Sequence, residues 1–262
     1  MIPDNRELIR IPVLVLEKGW LAVDKPAGMS VHNESGRDLC SVVQKELAQG
    51  GKIDTNPDFG VNPVHRLDKE ASGVIILAFT RKMSRFFSKQ FESREVKKSY
   101  IALLHGRLES PEGTASGGTW RWSLAKTAGG RLNPEGSGPR QPSETSYRVI
   151  DHSTHYTMVE IEPLTGRKHQ IRRHAKLAGH PVVGDGRYGP TRALTFLRQQ
   201  FAFDRLALHA RTLTLQLPDG NKPTTIKTPS IPVQMQQLFE NDRVKISPGL
   251  SKGKESKRPR TH

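Results

Sequence analysis

Residues 74–79 read VIILAF, and five of these six are large aliphatic or Phe side chains. The run is too short to be a helix by itself, and its lack of polar alternation predicts a strand buried on both faces. Directly before it, residues 65–70 read HRLDKE, almost entirely charged. Ser72 and Gly73 separate the two halves and supply a turn. A buried strand is a rigid mount for whatever the preceding loop carries. What it carries is Asp68, between Arg66 and Lys69. On an open surface such an ion pair contributes only about 0–1 kcal/mol. Beside a buried strand the carboxylate is expected to be partly buried and to require a cationic partner. An Asp held by an arginine is a competent nucleophile or base at neutral pH.

The flanking sequence predicts an alternation of strands and helices. PVLVLEKGWLAVDKP reads as two short strands around Lys18 and Gly19, and RDLCSVVQKELAQG as a helix closed by Gly50. In RKMSRFFSKQFESREV, Met83, Phe87 and Phe91 recur at i, i+4, i+8, the signature of an amphipathic helix. KKSYIALLHGRL is a strand with Tyr100 near its start, and a tyrosine there is either core or a stacking surface for a base. Residues 110–146, rich in Gly, Pro and Ser, read as a long loop with one strand at TWRWSLAK. TSYRVIDHSTHYTMVEIEPL reads as two strands turning near 152–154. RLALHARTLTLQLPDG is a strand whose alternation changes phase near 209–212, which predicts a bulge or bend.

A second informative helix lies in TGRKHQIRRHAKLAGHPVVGDGRYG. Ile171, His174, Ala175 and Ala178 define a core stripe, whereas His169, Arg172, Arg173 and Lys176 repeat the same spacing on the opposite side. Gly179 is the expected stop. Arg172 stands about 100° from Ile171 on the helical wheel, at the edge of the basic face. It therefore lies off the core stripe, and its loss is expected to spare the fold.

The formal net charge is +15 and the pI near 10.1. Such a charge attracts polyanions over roughly a Debye length, about 8 Å at physiological salt, and nucleic acid is the commonest such partner. The terminal stretch RVKISPGLSKGKESKRPRTH reads as a disordered basic arm, yet holds only seven of the 41 basic residues, so the body is basic too. The folded part is expected to span 1–245 and the arm 246–262.

Several chemistries are disfavoured. The single cysteine, Cys40, allows no intramolecular disulfide and no cysteine-based zinc cage. His169 and His174, five apart, lie about 140° apart on a helix and cannot ligate from one face. GDGRYG follows neither the P-loop nor the dinucleotide pattern. Glu70 is expected to face away from Asp68, which leaves a paired-acid glycosidase unsupported. No apolar run approaches the length of a membrane span, and the first ten residues lack a signal-peptide core. A cytoplasmic protein without metal or nucleotide cofactor, acting on RNA through one Asp, several Arg and a strand Tyr, is the expectation.

With these residues in view, the sequence resembles the RluA-type pseudouridine synthases. KPAGMSVH resembles their first motif, HRLDKEASGVIILA their catalytic-loop signature, and KKSYIALLHG the strand bearing their tyrosine. TGRKHQIRRHAKLAGHPVVGDGRYG and RLALHA resemble the closing motifs, in family order from about Trp20 to Ala210. The resemblance implies an α+β fold with a bent, mostly antiparallel sheet, flanking helices and loops, and a central basic cleft. It implies an RNA uridine isomerase in which the base is detached, turned and rejoined through C5, without cofactor. Asp68 would be the catalytic carboxylate, Arg172 its salt-bridge partner, Tyr100 the side chain packed on the base, and Arg66 the filler of the space that the flipped uridine leaves. Lys25, His65, Arg167, Lys168, His169, Arg173 and Lys176 are the expected RNA contacts. Ala71 departs from the Thr common in the family, and Arg173 stands where many members are apolar. TGRKHQIRRH and the long segment before RLALHA lean toward the tRNA-directed TruC branch, with rRNA as the other substrate class. No S4-type RNA-binding domain is expected before Trp20, and a monomer is expected. The rival reading is an RNA-binding protein of the same fold that has lost catalysis.

Overall fold

The computed structural model describes residues 11–50, 59–109 and 116–243. Along the chain these form β1 (Val13–Glu17), β2 (Trp20–Lys25), α1 (Leu39–Gly50), β3 (Asn62–Pro63), β4 (Ser72–Ala78), α2 (Arg81–Glu92) and β5 (Lys97–His105). Then come β6 (Gly117–Trp120), β7 (Leu124–Thr127), β8 (Ser137–Gln141), β9 (Thr145–His152), β10 (Tyr156–Pro163) and α3 (Gln170–Leu177). The chain closes with α4 (Thr191–Phe201), β11 (Leu208–Gln216), β12 (Pro223–Lys227) and α5 (Val233–Arg243). The basic arm expected at 246–262 lies outside the described residues.

One sheet runs in the order β1-β2-β4-β11-β5-β10-β9-β6, with β3 beside β4 and β12 beside β11. Its pairings are antiparallel except β4 with β11, which meet in parallel at Ser72 and Gly73. The apolar run forms most of β4, all seven of whose residues are buried, as expected of an inner strand. Strand β11 changes register between Ala210 and Thr212, where a phase change was expected. Before that bulge β11 lies between β4 and β5; beyond it β12 takes the place of β4. The sheet therefore changes partners at Arg211.

Two apolar clusters flank this point. One joins β2, β4, α1 and α2; the other joins β5, β9, β10, α3, α4 and α5. Helix α2 follows its sequence pattern, with Met83 and Phe87 buried and Phe91 partly so. Thr80 caps it by accepting from the Met83 amide, and Phe87 meets Trp20 edge-on at 4.9 Å.

The long loop expected at 110–146 instead contains β6, β7 and β8. TWRWSLAK is two strands, β6 ending at Trp120 and β7 starting at Leu124. Neither β7 nor β8 shows alternation, and β8 is exposed throughout, so their sequences carried no strand signal. Helices α4 and α5 also lack a counterpart in the sequence reading. The only buried residue of α4 is Leu197, too little for a periodic stripe.

Gly73 marks a close approach of two strands. Its φ is +118°, and a Cβ there would overlap the Ala210 backbone at the parallel pairing of β4 and β11. Gly73→Ala is expected to cost more than about 1 kcal/mol, since both the conformation and the space oppose it. A denaturant midpoint equal to that of the parent would contradict this.

Candidate active site

Asp68 lies on the loop between β3 and β4. Val64 and Leu67 anchor that loop in the first cluster and Ala71 in the second, so the loop bridges both. Two donors hold its backbone from below: the Lys69 carbonyl accepts from the Gly28 amide at 2.9 Å and from Lys25 Nζ at 3.1 Å. Lys25 Nζ also donates to the carbonyls of Pro26 and Met29, at 2.9 and 2.8 Å. Lys25 is 0% exposed, and burial pushes its ammonium down to about 8. The expectation of an RNA contact at Lys25 is therefore corrected: its three donors are spent on backbone, and it braces the Asp68 loop.

The Arg172 guanidinium is the hub of the site. Its Nη1 donates to Asp68 Oδ2 at 3.2 Å and to Glu70 Oε2 at 3.1 Å. Its Nε and Nη2 form a two-pronged pair with Asp185, at 2.8 and 2.9 Å. Burial opposes the charge on Arg172, but the hydrogen bonds and charge of Asp185, with the charges of Asp68 and Glu70, hold the guanidinium protonated above its ordinary value. Burial likewise opposes the charge on Asp185, and Arg172 with the Tyr188 and Arg187 amides outweighs it, holding the carboxyl below its usual range. Glu70, expected to face elsewhere, instead shares the Asp68 partner. Asp185 was missed by the sequence reading, although a signal was present. Its carboxylate caps the following turn by accepting from the amides of Arg187 and Tyr188, a recurrent Asp-led turn.

Helix α3 has no exposed basic face, because all six residues 170–175 are buried. The segment 124–141 covers the side expected to be open. Arg173, expected to contact RNA, is 0% exposed. Its guanidinium donates to the carbonyls of Pro134, Glu135, Ala125 and Lys168 and pins that segment onto α3. His65 is corrected as well. Its Nε2 accepts from the Ile76 amide at 3.1 Å, its ring stacks on Phe91 at 4.4 Å, and burial with the nearby Lys98 charge pushes it down to about 3. It is a neutral acceptor that fixes the loop against β4.

The remaining candidates line the mouth of the site or its surroundings. Tyr100 sits in β5 opposite Ala210 and Ile161 and packs against both clusters, where the two cores meet. Burial, with the Asp68 charge, pushes its hydroxyl up. His169 Nε2 lies 3.9 Å from Asp68 Oδ1 and its Nδ1 is 3.0 Å from the Tyr188 hydroxyl. Burial lowers its pKa although the Asp68 charge opposes this. The Arg66 side chain is exposed and forms no hydrogen bond or ion pair with any described residue. Arg167 reaches the Pro142 carbonyl at 3.3 Å, Lys168 is exposed and Lys176 half-buried. Asp68 itself keeps a quarter of its side chain exposed.

His65 and His209, the latter pushed down to about 4 by burial and by Arg205 and Arg211, give the fold an acid-sensitive term. Both are neutral when folded and take up a proton near 6.5 when unfolded. The unfolded state therefore binds more protons below about pH 6.5, and stability falls as pH falls. The urea midpoint at pH 5 is expected to lie below that at pH 7.5, with a smaller gap in His209→Gln; equal midpoints in the parent protein would refute it.

The sequence matches a known family. Residues 19–177 fit the family model described as RNA pseudouridylate synthase. A tRNA pseudouridine synthase C of Haemophilus ducreyi is 32% identical over 244 residues, covering 88% of this chain and 95% of that protein. A ribosomal large subunit pseudouridine synthase C of Vibrio parahaemolyticus is 31% identical over 210 residues, covering 80% of this chain and 62% of that protein. The chain thus spans under two thirds of the length of the Vibrio relative. Among solved structures, human RNA pseudouridylate synthase domain containing 4 superposes with a TM-score of 0.68 at 24% identity, covering 88% of this chain and 93% of that one. Human RNA pseudouridylate synthase domain containing 1 gives 0.67 at 23%, covering 88% and 86%. These two share the fold: α+β, with a mostly antiparallel sheet. The span of the family match, with the 32% identity to the Haemophilus protein over nearly its whole length, shows that this chain belongs to the RNA pseudouridylate synthase family.

Proposed function

We propose that this chain isomerises uridine to pseudouridine in structured RNA, either tRNA or rRNA. The observation that carries the reading is the Asp68 carboxylate, partly open to solvent, held by one prong of a buried arginine and mounted on a braced loop. The reaction breaks the N1–C1′ glycosidic bond, forms a C5–C1′ bond and in net transfers a proton from C5 to N1, so reactant and product have the same composition. It calls for a carboxylate that attacks or takes a proton, and a pocket that keeps the detached base in place. Asp68 supplies the first. Tyr100, beside it on β5, supplies an aromatic wall for the base. Arg66, exposed and without a described partner, is free to enter the RNA stack; removing a paired base from the stack costs a few kcal/mol, which such a filler offsets. His169 places a second ring against Asp68. Arg167, Lys168 and Lys176 supply positive charge along the rim.

The substrate class follows the relatives, whose names specify tRNA and the large ribosomal subunit. The match of 95% to the length of the tRNA-named protein favours tRNA. Pseudouridine mapping of total RNA, with and without the protein, tests this. At least one site should disappear on deletion and return with the parent gene; an unchanged map would overturn the proposal.

A further inference from the structure

A cavity of about 810 Å³ lies beside the Asp68 loop. It adjoins the site through Glu70, which bonds Arg172, and through Gly184 and Gly186, which flank Asp185. Its volume falls in the range of about 300–1,000 Å³ usual for small-ligand pockets. Leu194, Phe203, Leu206 and Ile231 give it apolar walls, against which a base can pack.

The polar side of the cavity holds an acceptor and a donor that do not satisfy each other. The Asp24 carboxylate makes no hydrogen bond or ion pair with any described residue; burial and more distant charges alone act on it. Of the charges around it, Arg205 acts on Asp24 most strongly, yet the two form no ion pair. Arg205 donates Nη2 to Ser72 Oγ and Nε to the Leu206 carbonyl, which leaves Nη1 without a described partner. Ser72 is held in turn by His209, so this corner is rigid. A half-buried carboxylate beside an unspent guanidinium donor is completed by a ligand edge that presents donors next to an acceptor.

Among nucleobases, only guanine presents two adjacent donors, N1–H and N2–H, to fit the two oxygens of a carboxylate. Its O6 follows on the same edge, as an acceptor for a guanidinium. We infer that this cavity binds a guanine base, with Asp24 accepting from N1 and N2 and Arg205 donating to O6. Resting on the RNA-modifying reading, this makes the cavity the place where a guanosine near the target uridine is recognised. Arg198, on the exposed side of α4 at the cavity wall, is placed to meet a phosphate.

Nucleotide binding to the full chain tests the inference separately from isomerisation. Binding of GMP, IMP, AMP, CMP and UMP is measured by titration calorimetry or by NMR shift changes. GMP should saturate and bind at least about tenfold more tightly than AMP, CMP or UMP. IMP, which lacks the N2 donor, should fall between them, because a site built for hydrogen bonds rejects an analogue that leaves a buried group unpaired. Asp24→Asn should remove the preference for GMP, and Leu194→Trp, which fills the cavity wall, should remove binding; circular dichroism verifies that both variants are folded. Absence of saturable GMP binding, equal binding of all the nucleotides, or GMP binding that survives both substitutions would overturn the assignment. Absence of a GMP preference in the parent protein, while pseudouridine still forms, rejects the cavity alone. GMP binding without any pseudouridine formation supports the cavity and rejects the isomerase.

Discussion

Asp68→Asn is expected to lower pseudouridine formation by at least about a thousandfold while RNA binding stays within a few-fold of the parent. The substitution keeps the size of the side chain and an oxygen within reach of Arg172 Nη1, 3.2 Å away in the parent. It removes the negative charge and the capacity to attack or to take a proton. The fold should tolerate it, since a quarter of the side chain is exposed and Arg172 retains Asp185 and Glu70. RNA affinity, which rests mainly on positive charge, should change little. The measurements are single-turnover conversion of transcribed tRNA and filter binding of the same RNA. Activity comparable to the parent would remove Asp68 from the chemistry; lost binding with lost activity would make it an RNA contact instead.

Arg172→Ala is expected to destabilise the protein by about 3–5 kcal/mol, the usual cost of removing one partner from a buried pair. That is a large part of a typical 5–15 kcal/mol and corresponds to a fall of roughly 10 °C in melting temperature. The sequence placed Arg172 off the core stripe, where its loss would spare the fold. The structure places it 2% exposed, bonded through Nε and Nη2 to an Asp185 side chain that is itself 0% exposed. Without the guanidinium, Asp185 is a buried charge with only backbone donors, and the turn that it caps at 185–188 loses its anchor. Arg172→Lys keeps the charge but cannot span Asp185 and Asp68 together, so it should recover part of the stability and little of the activity. Urea denaturation of the three proteins decides this. A midpoint for the Ala variant within error of the parent would return Arg172 to a purely catalytic role.

Much of the site was readable from local pattern. The buried strand after HRLDKE, the helix at 81–92 and the bulge near 209–212 follow from side-chain periodicity, which each residue carries with it. Residues that act through long-range partners were misread. Lys25, His65 and Arg173 look like free cations in sequence, yet their donors or acceptors end on the Lys69 carbonyl, the Ile76 amide and the carbonyls of 125–135. Helical spacing gave α3 a polar face. The chain laid β7 and the turn after it over that face, and no wheel diagram contains that information.

The sequence by itself determined the elements that carry a periodic pattern, such as β4 and α2, the mount for Asp68 and the identity of its arginine partner, because these depend on spacing within one segment or on motifs met in order. Only the tertiary structure decided which cations remain free for RNA and which are structural, that Asp185 and Glu70 share Arg172, and that Asp24 and Arg205 face one cavity. A hydrogen bond has a range of about 3 Å, so the fate of a polar side chain depends on which distant backbone the fold brings that close.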